Sequence, residues 1–307
     1  MQYVKLFENF EDVSDLRKVG FVFNFGTGKV TLSDENELIE KIIRDIFIPM
    51  DDDYKVDSRD IPVYNFGQDD WTNCLIKDKK IAKGNVYNSP DRRQYASDKV
   101  KFYKAMSKSE YIPKTVYTLK ASESLEFPVI AKPAKGCGGY GIKRFETVEQ
   151  LQKSKDEFDL YQECIDIDKE YRVIFFDEEI LFISERTPDN AKAKSFRNGK
   201  GSSAGARNEF VWTSQIISKF AKRTKFKELC QQVMDTTKLD CVGIDIAVDK
   251  SGKCWIIEAN TTPGLNNDQC IVIYKAMFEK FYGRKMKTAD VKTLDMYTKK
   301  ITEQKNR

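Results

Sequence analysis

The sequence predicts an α/β protein of mixed α+β layout, with more than one domain, and three observations predict it. Residues 242–248 alternate apolar and small side chains, and residues 254–259 are apolar and β-prone, so they read as two strands. Just before them Phe226, Leu229, Cys230, Val233 and Met234 recur at the i, i+3, i+4, i+7, i+8 spacing of an amphipathic helix. Upstream, the strand Pro128 to Lys132 runs into four glycines within six residues and then a further strand, Ile142 to Phe145. A chain of 307 residues has room for two or three such domains, each with its own core.

The elements follow in order. Phe21, Val22 and Phe23 form a short apolar strand ended by Gly26 and Gly28. Ser33 caps an expected helix carrying Leu38, Ile39, Ile42, Ile43 and Ile46, stopped by Pro49 and the acidic run Asp51 to Asp53, which reads as a solvated loop. Ile61 to Tyr64 is another short strand. After the turn at Asn88-Ser89-Pro90, Asp98 caps a helix whose inner stripe is Val100, Tyr103 and either Met106 or Ser107. Lys99 stands in its first turn, where a cation is disfavoured unless an anion sits there too. The glycine hairpin is no Walker loop, because no Gly-Lys-Ser/Thr leads into a helix. Thr147 with Gln150 makes a capping box. Leu160 to Ile165 and Glu170 to Phe176 are strands; Asp177 to Glu179 turns the chain and Ile180 to Ser184 pairs back. Residues 187–209 are polar and aperiodic, a long loop that is either functional or solvated. Residues 215–222 read as helical, as does the stretch marked by Ile271, Tyr274, Phe278 and Phe281.

Composition excludes several classes of function. The sequence has no histidine, which removes Ser-His-Asp and Cys-His machinery and histidine metal sites. Catalysis must then use carboxylates, Lys, Arg, metal ions or positioning. The 7 cysteines are odd in number and scattered, with no CxxC, as expected of reduced thiols in a cytoplasmic protein. A net charge of +4 with acids and bases interspersed argues against a nucleic-acid partner, and no segment is long and apolar enough to span a bilayer.

The chemistry concentrates between Val242 and Leu265. The turn Asp249-Lys250-Ser251-Gly252-Lys253 lets Gly252 take a positive φ. A loop of Ser251-Gly252, or of residues 250–253, puts Asp245 opposite Glu258, and period-two alternation puts Asn260 on the same face. Two carboxylates and an amide oxygen would converge on an otherwise dry sheet. Left unpaired they repel; a hard divalent cation such as Mg²⁺ resolves this with oxygen ligands. The alternative is a surface hairpin with solvated acids, disfavoured because the surrounding strands are too apolar for an edge.

The ordered set (Asp98-Lys99 at a helix start, PVIAKP with a glycine hairpin, QECI at a strand end, Glu-x-Arg-Val, then GIDIAVD and WIIEANTTPGL) resembles the ATP-grasp superfamily. The likeness is strongest to the branch of ribosomal-protein glutamate ligase, glutathione synthetase and D-alanine–D-alanine ligase, and runs from about Asn88 to Gly283. It implies an ATP-grasp fold, two α+β subdomains gripping ATP, with a small N-terminal α/β domain at 1–90. A lid subdomain would span 91–160, a core with the metal site 161–285, and a charged tail 286–307. It also implies roles. Lys99, Lys132 and Lys135 would contact ATP phosphates under a flap of Gly136, Gly138, Gly139 and Gly141. Glu163, Cys164 and Ile165 would form the adenine hinge, and Glu170 would bind the ribose. Asp245, Glu258 and Asn260 would hold one or two Mg²⁺, with Mn²⁺ as a substitute. Arg172 and Arg186 match arginines near the terminal phosphate and acyl-phosphate site. The family's Arg-x-Asn appears as Arg197-Asn198 with altered spacing, which puts Arg197 in doubt.

The implied activity is an ATP-dependent carboxylate–amine ligase working through an acyl phosphate. Its substrate would be an amino acid, a peptide or a protein terminus carrying the carboxylate, with an amine co-substrate. Alternatives are an ATP-grasp kinase acting on a hydroxyl, or a non-catalytic ATP-binding regulator. Relatives of this kind assemble as dimers or tetramers, so a homo-oligomer is open.

Overall fold

The structure, a computed structural model, describes residues 15–16, 18–22, 48–49, 59–67, 69–136, 141–154, 156–188, 210–214, 217–263 and 267–305. The expected helix at Leu38 to Ile46, the acidic run Asp51 to Asp53, and Cys137, Gly138, Gly139, Arg197 and Asn198 lie outside the described residues. Contacts divide the chain into two units, Met1–Asp91 with Thr262–Arg307, and Arg92–Thr261.

In the first unit β1 (Gly20–Val22), β2 (Ile48–Pro49), β3 (Val63–Asn65) and, after α1 (Asp69–Lys77), β4 (Val86–Tyr87) form a parallel sheet in the order β2-β1-β3-β4. A parallel sheet is covered on both faces, which explains why β1 and β3 are buried at every residue. Val22, Ile48, Val63, Leu75, Ile81 and Val86 make its core. Two C-terminal helices, Asn267–Tyr282 and Thr288–Lys305, belong to the same unit. Asp15, fully buried, ties the chain ends together. Its carboxylate accepts from Arg284 at 2.7 and 3.1 Å and from the Lys287 amide at 2.7 Å. Its own amide donates to Asp290 at 2.8 Å. Burial alone would raise the Asp15 carboxyl, but Arg284 and the Lys287 N–H hold it below the usual range.

The second unit begins within α2 (Pro90–Ser97) and continues into α3 (Lys99–Ala105). Asp98 caps α3 by accepting from the Lys101 amide at 3.0 Å, and Phe102, Tyr103 and Met106 turn inward. Next come β5 (Thr115–Val116), α4 (Leu119–Ser122), β6 (Val129–Lys132), β7 (Lys143–Phe145), α5 (Val148–Gln152) and β8 (Leu160–Glu163). The strands form an antiparallel sheet, β5-β8-β6-β7. Only the first half of the expected capping box of α5 forms, with the Gln150 amide donating to Thr147 Oγ1 at 3.3 Å. Gln150 reaches back to the Glu146 amide at 3.0 Å, not to the Thr147 amide.

The second sheet of this unit contains β9 (Ile167–Phe176), β10 (Glu179–Pro188), β11 (Phe210–Ser214) and, after α6 (Arg223–Thr237), β12 (Cys241–Asp249) and β13 (Cys254–Asn260). The order is β11-β10-β9-β12-β13, antiparallel throughout. Asp177 and Glu178 carry φ of 49° and 62°, the two left-handed residues of a tight hairpin whose twist suits the flanking strands. One face of the sheet packs Tyr171, Val173, Phe175, Ile244, Ile246, Val248, Cys254, Ile256 and Ala259 against Phe226, Leu229, Cys230 and Val233 of α6. These four α6 residues belong to the five-residue stripe expected from periodicity and are fully buried; the fifth, Met234, is partly buried against the same core.

Two expectations are corrected here. β10 does not stop at Ser184 but continues to Pro188, paired with β11, so Thr187 and Pro188 of the expected polar loop are strand, and a further strand starts at Phe210, just past the loop's expected end. On the β10 side that extension is Glu185-Arg186-Thr187-Pro188, whose polar residues leave no apolar alternation to read, and it is held by backbone pairing with β11. Residues 217–219 form only a short 3₁₀ turn in place of a helix over 215–222. Phe220 leaves it to pack on Tyr171 and Phe226, with ring centroids 5.2 and 5.0 Å away.

Candidate active site

The face of the second sheet away from α6 carries the charges. In the β12–β13 pair Asp245 stands opposite Glu258 and Gly243 opposite Asn260. The route to this register differs from the expected uniform one. The turn closes on Asp249 and Lys253, with Gly252 at φ +88° and its amide donating to the Asp249 carbonyl at 2.9 Å. Asp249 Oδ1 accepts from Ser251 N, Ser251 Oγ and Lys253 N at 2.9, 2.6 and 3.0 Å, and Oδ2 accepts from the Trp255 indole at 2.8 Å. Continued without interruption, that ladder would place Ile257 opposite Asp245. It is interrupted: Ile246 pairs with Ile256 and Asp245 with Glu258, so Ile257 is a bulge. The extra residue flips the side-chain parity. Cys254 and Ile256 therefore enter the core, and Glu258 and Asn260 turn to the opposite face.

β9 lies on the other side of β12 and sets Arg172 opposite Asp245 and Glu170 opposite Ala247. The Arg172 guanidinium grips both Asp245 oxygens, Nε to Oδ1 at 2.7 Å and Nη2 to Oδ2 at 2.8 Å. Both side chains are largely buried, at 15% and 6% exposure. From β10, Arg186 Nη1 reaches both oxygens of Glu170 at 3.0 and 2.9 Å. Glu258, by contrast, has no hydrogen bond or ion pair among the described residues. Burial and Asp245 push its carboxyl above the usual range, against the pull of Lys99, Arg172 and Lys132. Burial also raises the Glu170 carboxyl, with Asp245 adding to it, while Arg186 and Arg172 oppose it. Arg172 is driven the other way: burial disfavours its charge, but the fork with Asp245, backed by Glu258 and Glu170, holds the proton more firmly.

Lys132 ends β6 and is buried. Its Nζ donates to Gln162 Oε1 at 2.7 Å and to the Tyr103 hydroxyl at 3.4 Å. Gln162 in turn donates to Thr115 Oγ1 at 2.8 Å. Tyr103 donates to the carbonyl of Ile257, the bulged residue. Lys99 Nζ meets the Gly136 carbonyl at 2.8 Å, and its amide bonds Ala134 O at 2.8 Å. The base of the glycine hairpin is thereby held against α3. At the hairpin's far side Gly141 has φ +73°, and a Cβ there would come within 3.1 Å of the Pro133 ring. Lys135 and Gly136 are exposed. At the end of β8 the Glu163 and Cys164 amides are used within the protein, by Lys114 O and Pro128 O at 3.0 Å each. The Glu163 carboxylate is taken by the Glu126 amide at 3.0 Å and by Lys114 at 3.4 Å.

The structure thus brings Arg172, Asp245, Glu258 and Asn260 onto one face, with Lys99 and Lys132 within electrostatic reach of Glu258. It turns the Glu163 side chain to local partners. Among the described residues no group of three or more His, Cys, Asp or Glu side chains is arranged to hold a metal ion. The candidate donor set is two carboxylates and an amide. Its chemistry fits a hard divalent cation, because all donors are oxygens and the Glu258 side chain, without a hydrogen-bond partner among the described residues, faces a second carboxylate. Sequence reasoning missed Tyr103, Gln162 and the arginine–carboxylate pairings. The signal for Gln162 was a polar residue at the same strand parity as buried Leu160.

An ATP-grasp domain model matches residues 96–264, and the chain belongs to that family. D-alanine–D-alanine ligase of Buchnera aphidicola subsp. Baizongia pistaciae (strain Bp) is 27% identical over 177 residues, 54% of this chain and 54% of that protein. The chain spans about half the length of the curated relatives it matches. Among solved structures, D-alanine–D-alanine ligase from Bacillus anthracis aligns with a TM-score of 0.58 at 15% identity, covering 91% of this chain and 99% of that one. The ATP-grasp ligase PsnB, complexed with minimal precursor, Mg and ADP, aligns with a TM-score of 0.56 at 14% identity, covering 86% and 97%. These likenesses establish the ATP-grasp fold. Among the described residues no helix is long and apolar enough to cross a membrane, and the described cysteines are free thiols.

Proposed function

We propose that the protein is an ATP-dependent carboxylate–amine ligase that forms an amide or peptide bond on an amino acid, a peptide or a protein terminus. The observation that carries the reading is the charged face itself. Asp245 and Glu258 are paired in register, Arg172 forks onto Asp245, and Lys99 and Lys132 both act on Glu258. The relatives support the reaction class. Two are D-alanine–D-alanine ligases, and PsnB is an ATP-grasp ligase whose solved complex holds a minimal precursor, Mg and ADP.

In this reading residues 91–160 form the lid and 161–285 the core, with residues 1–90 contributing to substrate recognition. Lys99 and Lys132 bind the ATP phosphates, with Lys135 and the glycine flap closing over them. Glu170 takes the ribose hydroxyls, and the 163–165 hinge takes the base. Asp245, Glu258 and Asn260 would hold one or two Mg²⁺ or Mn²⁺ ions, which neutralise phosphate charge when bound. A substrate carboxylate attacks the γ-phosphorus as the bond to the leaving ADP breaks. An amine then adds to the acyl phosphate and expels inorganic phosphate. Arg172 and Arg186, positioned by Asp245 and Glu170, offer donors to the oxyanion formed in that step. Asn198, and Arg197 beside it, would add donors from the polar segment. No step requires histidine, because the carboxylate is already a nucleophile and the protein mainly positions the reactants.

The test is phosphate release from ATP with Mg²⁺ across pools of amino acids and peptides, wild type against Glu258→Gln, with mass analysis of products. Substrate-dependent phosphate release and a product joined to the amine are expected, and Glu258→Gln should lose both. A stable phosphate ester would identify a kinase instead. ATP binding without turnover on any pool would favour a regulator.

A further inference from the structure

We infer that the Tyr103 hydroxyl is a positioning group that locks Lys132 of one sheet to the bulge beneath Glu258 of the other. It would hold the cation for the ATP phosphates and the carboxylate for the metal at a fixed separation. The role rests on the ATP-dependent reading above.

Tyr103 lies in α3, between the two sheets of the second unit, and is 1% exposed. A phenol has one proton to give and lone pairs to receive with. The proton goes to the carbonyl of Ile257, the residue that the bulge leaves without a ladder partner. A lone pair receives Lys132 Nζ at 3.4 Å, and the same ammonium lies 5.3 Å from the ring centroid. Gln162 Oε1 is the second acceptor for Lys132, at 2.7 Å. Both acceptors are neutral. A carboxylate in either place would pair with the ammonium and compete with a phosphate; a phenol and an amide hold its direction and leave its charge uncompensated. The other end of the hydroxyl's contacts matters equally. The bulge is what puts Glu258 on the charged face, and its carbonyl, part-buried and without the phenol's proton, would need another donor. One oxygen atom therefore joins the lid-side lysine to the core-side carboxylate. The six-membered ring alone, which packs on Phe102 at 5.4 Å between centroids, could not do this.

The experiment measures equilibrium binding of ATP, ADP and adenosine by calorimetry, with and without Mg²⁺, for wild type, Tyr103→Phe, Lys132→Met and the double variant. Tyr103→Phe keeps the ring and its packing. Its expected result is a loss of about tenfold in affinity for ATP with Mg²⁺, a figure typical of one buried hydrogen bond to a charged group. Adenosine affinity should change less than about twofold. In the Lys132→Met background, Tyr103→Phe should have a clearly smaller effect, because half of its role is gone. Equal losses for ATP and adenosine would mean a merely structural tyrosine and overturn the inference, as would unchanged ATP affinity. If Tyr103→Phe does not fold, Gln162→Leu removes the other acceptor of the same lysine and must give the same phosphate-selective loss. Equal losses from that variant overturn the inference as well. Wild type failing to bind ATP at all would sink the ligase reading and the inference together, whereas the other negative outcomes leave the ligase reading standing.

Discussion

Glu258→Gln should make the ligand-free protein more stable and the cation-loaded protein less so. Directly opposed residues of an antiparallel pair hold their Cβ atoms about 5 Å apart. Two like charges at that separation repel by about 3 kcal/mol at an effective dielectric constant of about 20. The Arg172 fork, Lys99 and Lys132 offset much of this, yet the Glu258 carboxyl still lies above its ordinary range. Burial first and Asp245 second keep it there; if the cations cancel about two thirds of the repulsion, about 1 kcal/mol of it is left. Glutamine keeps the shape and removes the charge, so at pH 7.5 without divalent ions the variant should melt about 2 °C higher than wild type. The pH dependence has a definite sign. A carboxyl raised in the folded state costs stability from the pH at which it ionises in the unfolded chain, and the cost stops growing once it has ionised in the folded state as well. The difference between variant and wild type should vanish below the unfolded-state value of about 4.3, grow as pH rises above it, and level off above the raised folded value. Magnesium at about ten times its dissociation constant should add about 1.4 kcal/mol to wild type and little to the variant, reversing their order. Thermal melts from pH 4 to 8, with Mg²⁺ or with chelator, read all of this. A variant less stable than wild type in chelator at pH 7.5 would refute the account of two opposed, under-compensated carboxylates.

Further outcomes follow from other parts of the fold. Arg172→Met leaves Asp245 buried without its fork and should lower stability by about 3 kcal/mol at neutral pH in urea titrations. Asp249→Ala removes the acceptor that organises the β12–β13 turn and should cost about 2 kcal/mol, with altered Trp255 emission. Burial works to raise the Asp249 carboxyl, but bonds from Ser251, Trp255 and Lys253 hold it below its ordinary range. The stability it contributes should be present above the unfolded value and be lost as pH falls through the folded one. Arg284→Ala should cost about 2 kcal/mol and speed amide exchange at residues 18–22 and 288–296 together, because Asp15 joins those segments.

The sequence showed the acid pair because strand alternation and turn chemistry are local properties, and both acids lie within one hairpin. It placed the pair correctly while misjudging the loop by one residue. The turn's own bonds select closure at Asp249 and Lys253, and the bulge restores the register. The consecutive Ile256 and Ile257 ahead of Glu258 were the readable trace of that bulge. The pairings of Arg172 with Asp245 and of Arg186 with Glu170 were not legible as contacts. The first depends on β9 lying beside β12, which is decided by core packing on α6 rather than by neighbouring residues. Tyr103 read only as part of a buried stripe, because its ring belongs to the core and its oxygen alone reaches the charged groups. β11 was missed because it is recruited by the edge of β10 and shows little alternation of its own.

The bulge at Ile257 has a consequence for chain length. In most strand positions losing one residue would exchange the two faces for everything beyond it. At Ile257 a loss would not. Cys254 and Ile256 would still face the core, Glu258 would follow Ile256 directly and still meet Asp245, and Ala259 would still return inward. Pairing is therefore indifferent to this residue, and a chain one residue shorter would keep its ladder. What it would lose is a carbonyl outside the ladder, and with it the partner of a phenol that spans two sheets. Ile257 is thus a spare residue as far as the sheet is concerned, and the contact it adds joins the sheet to the rest of the grip.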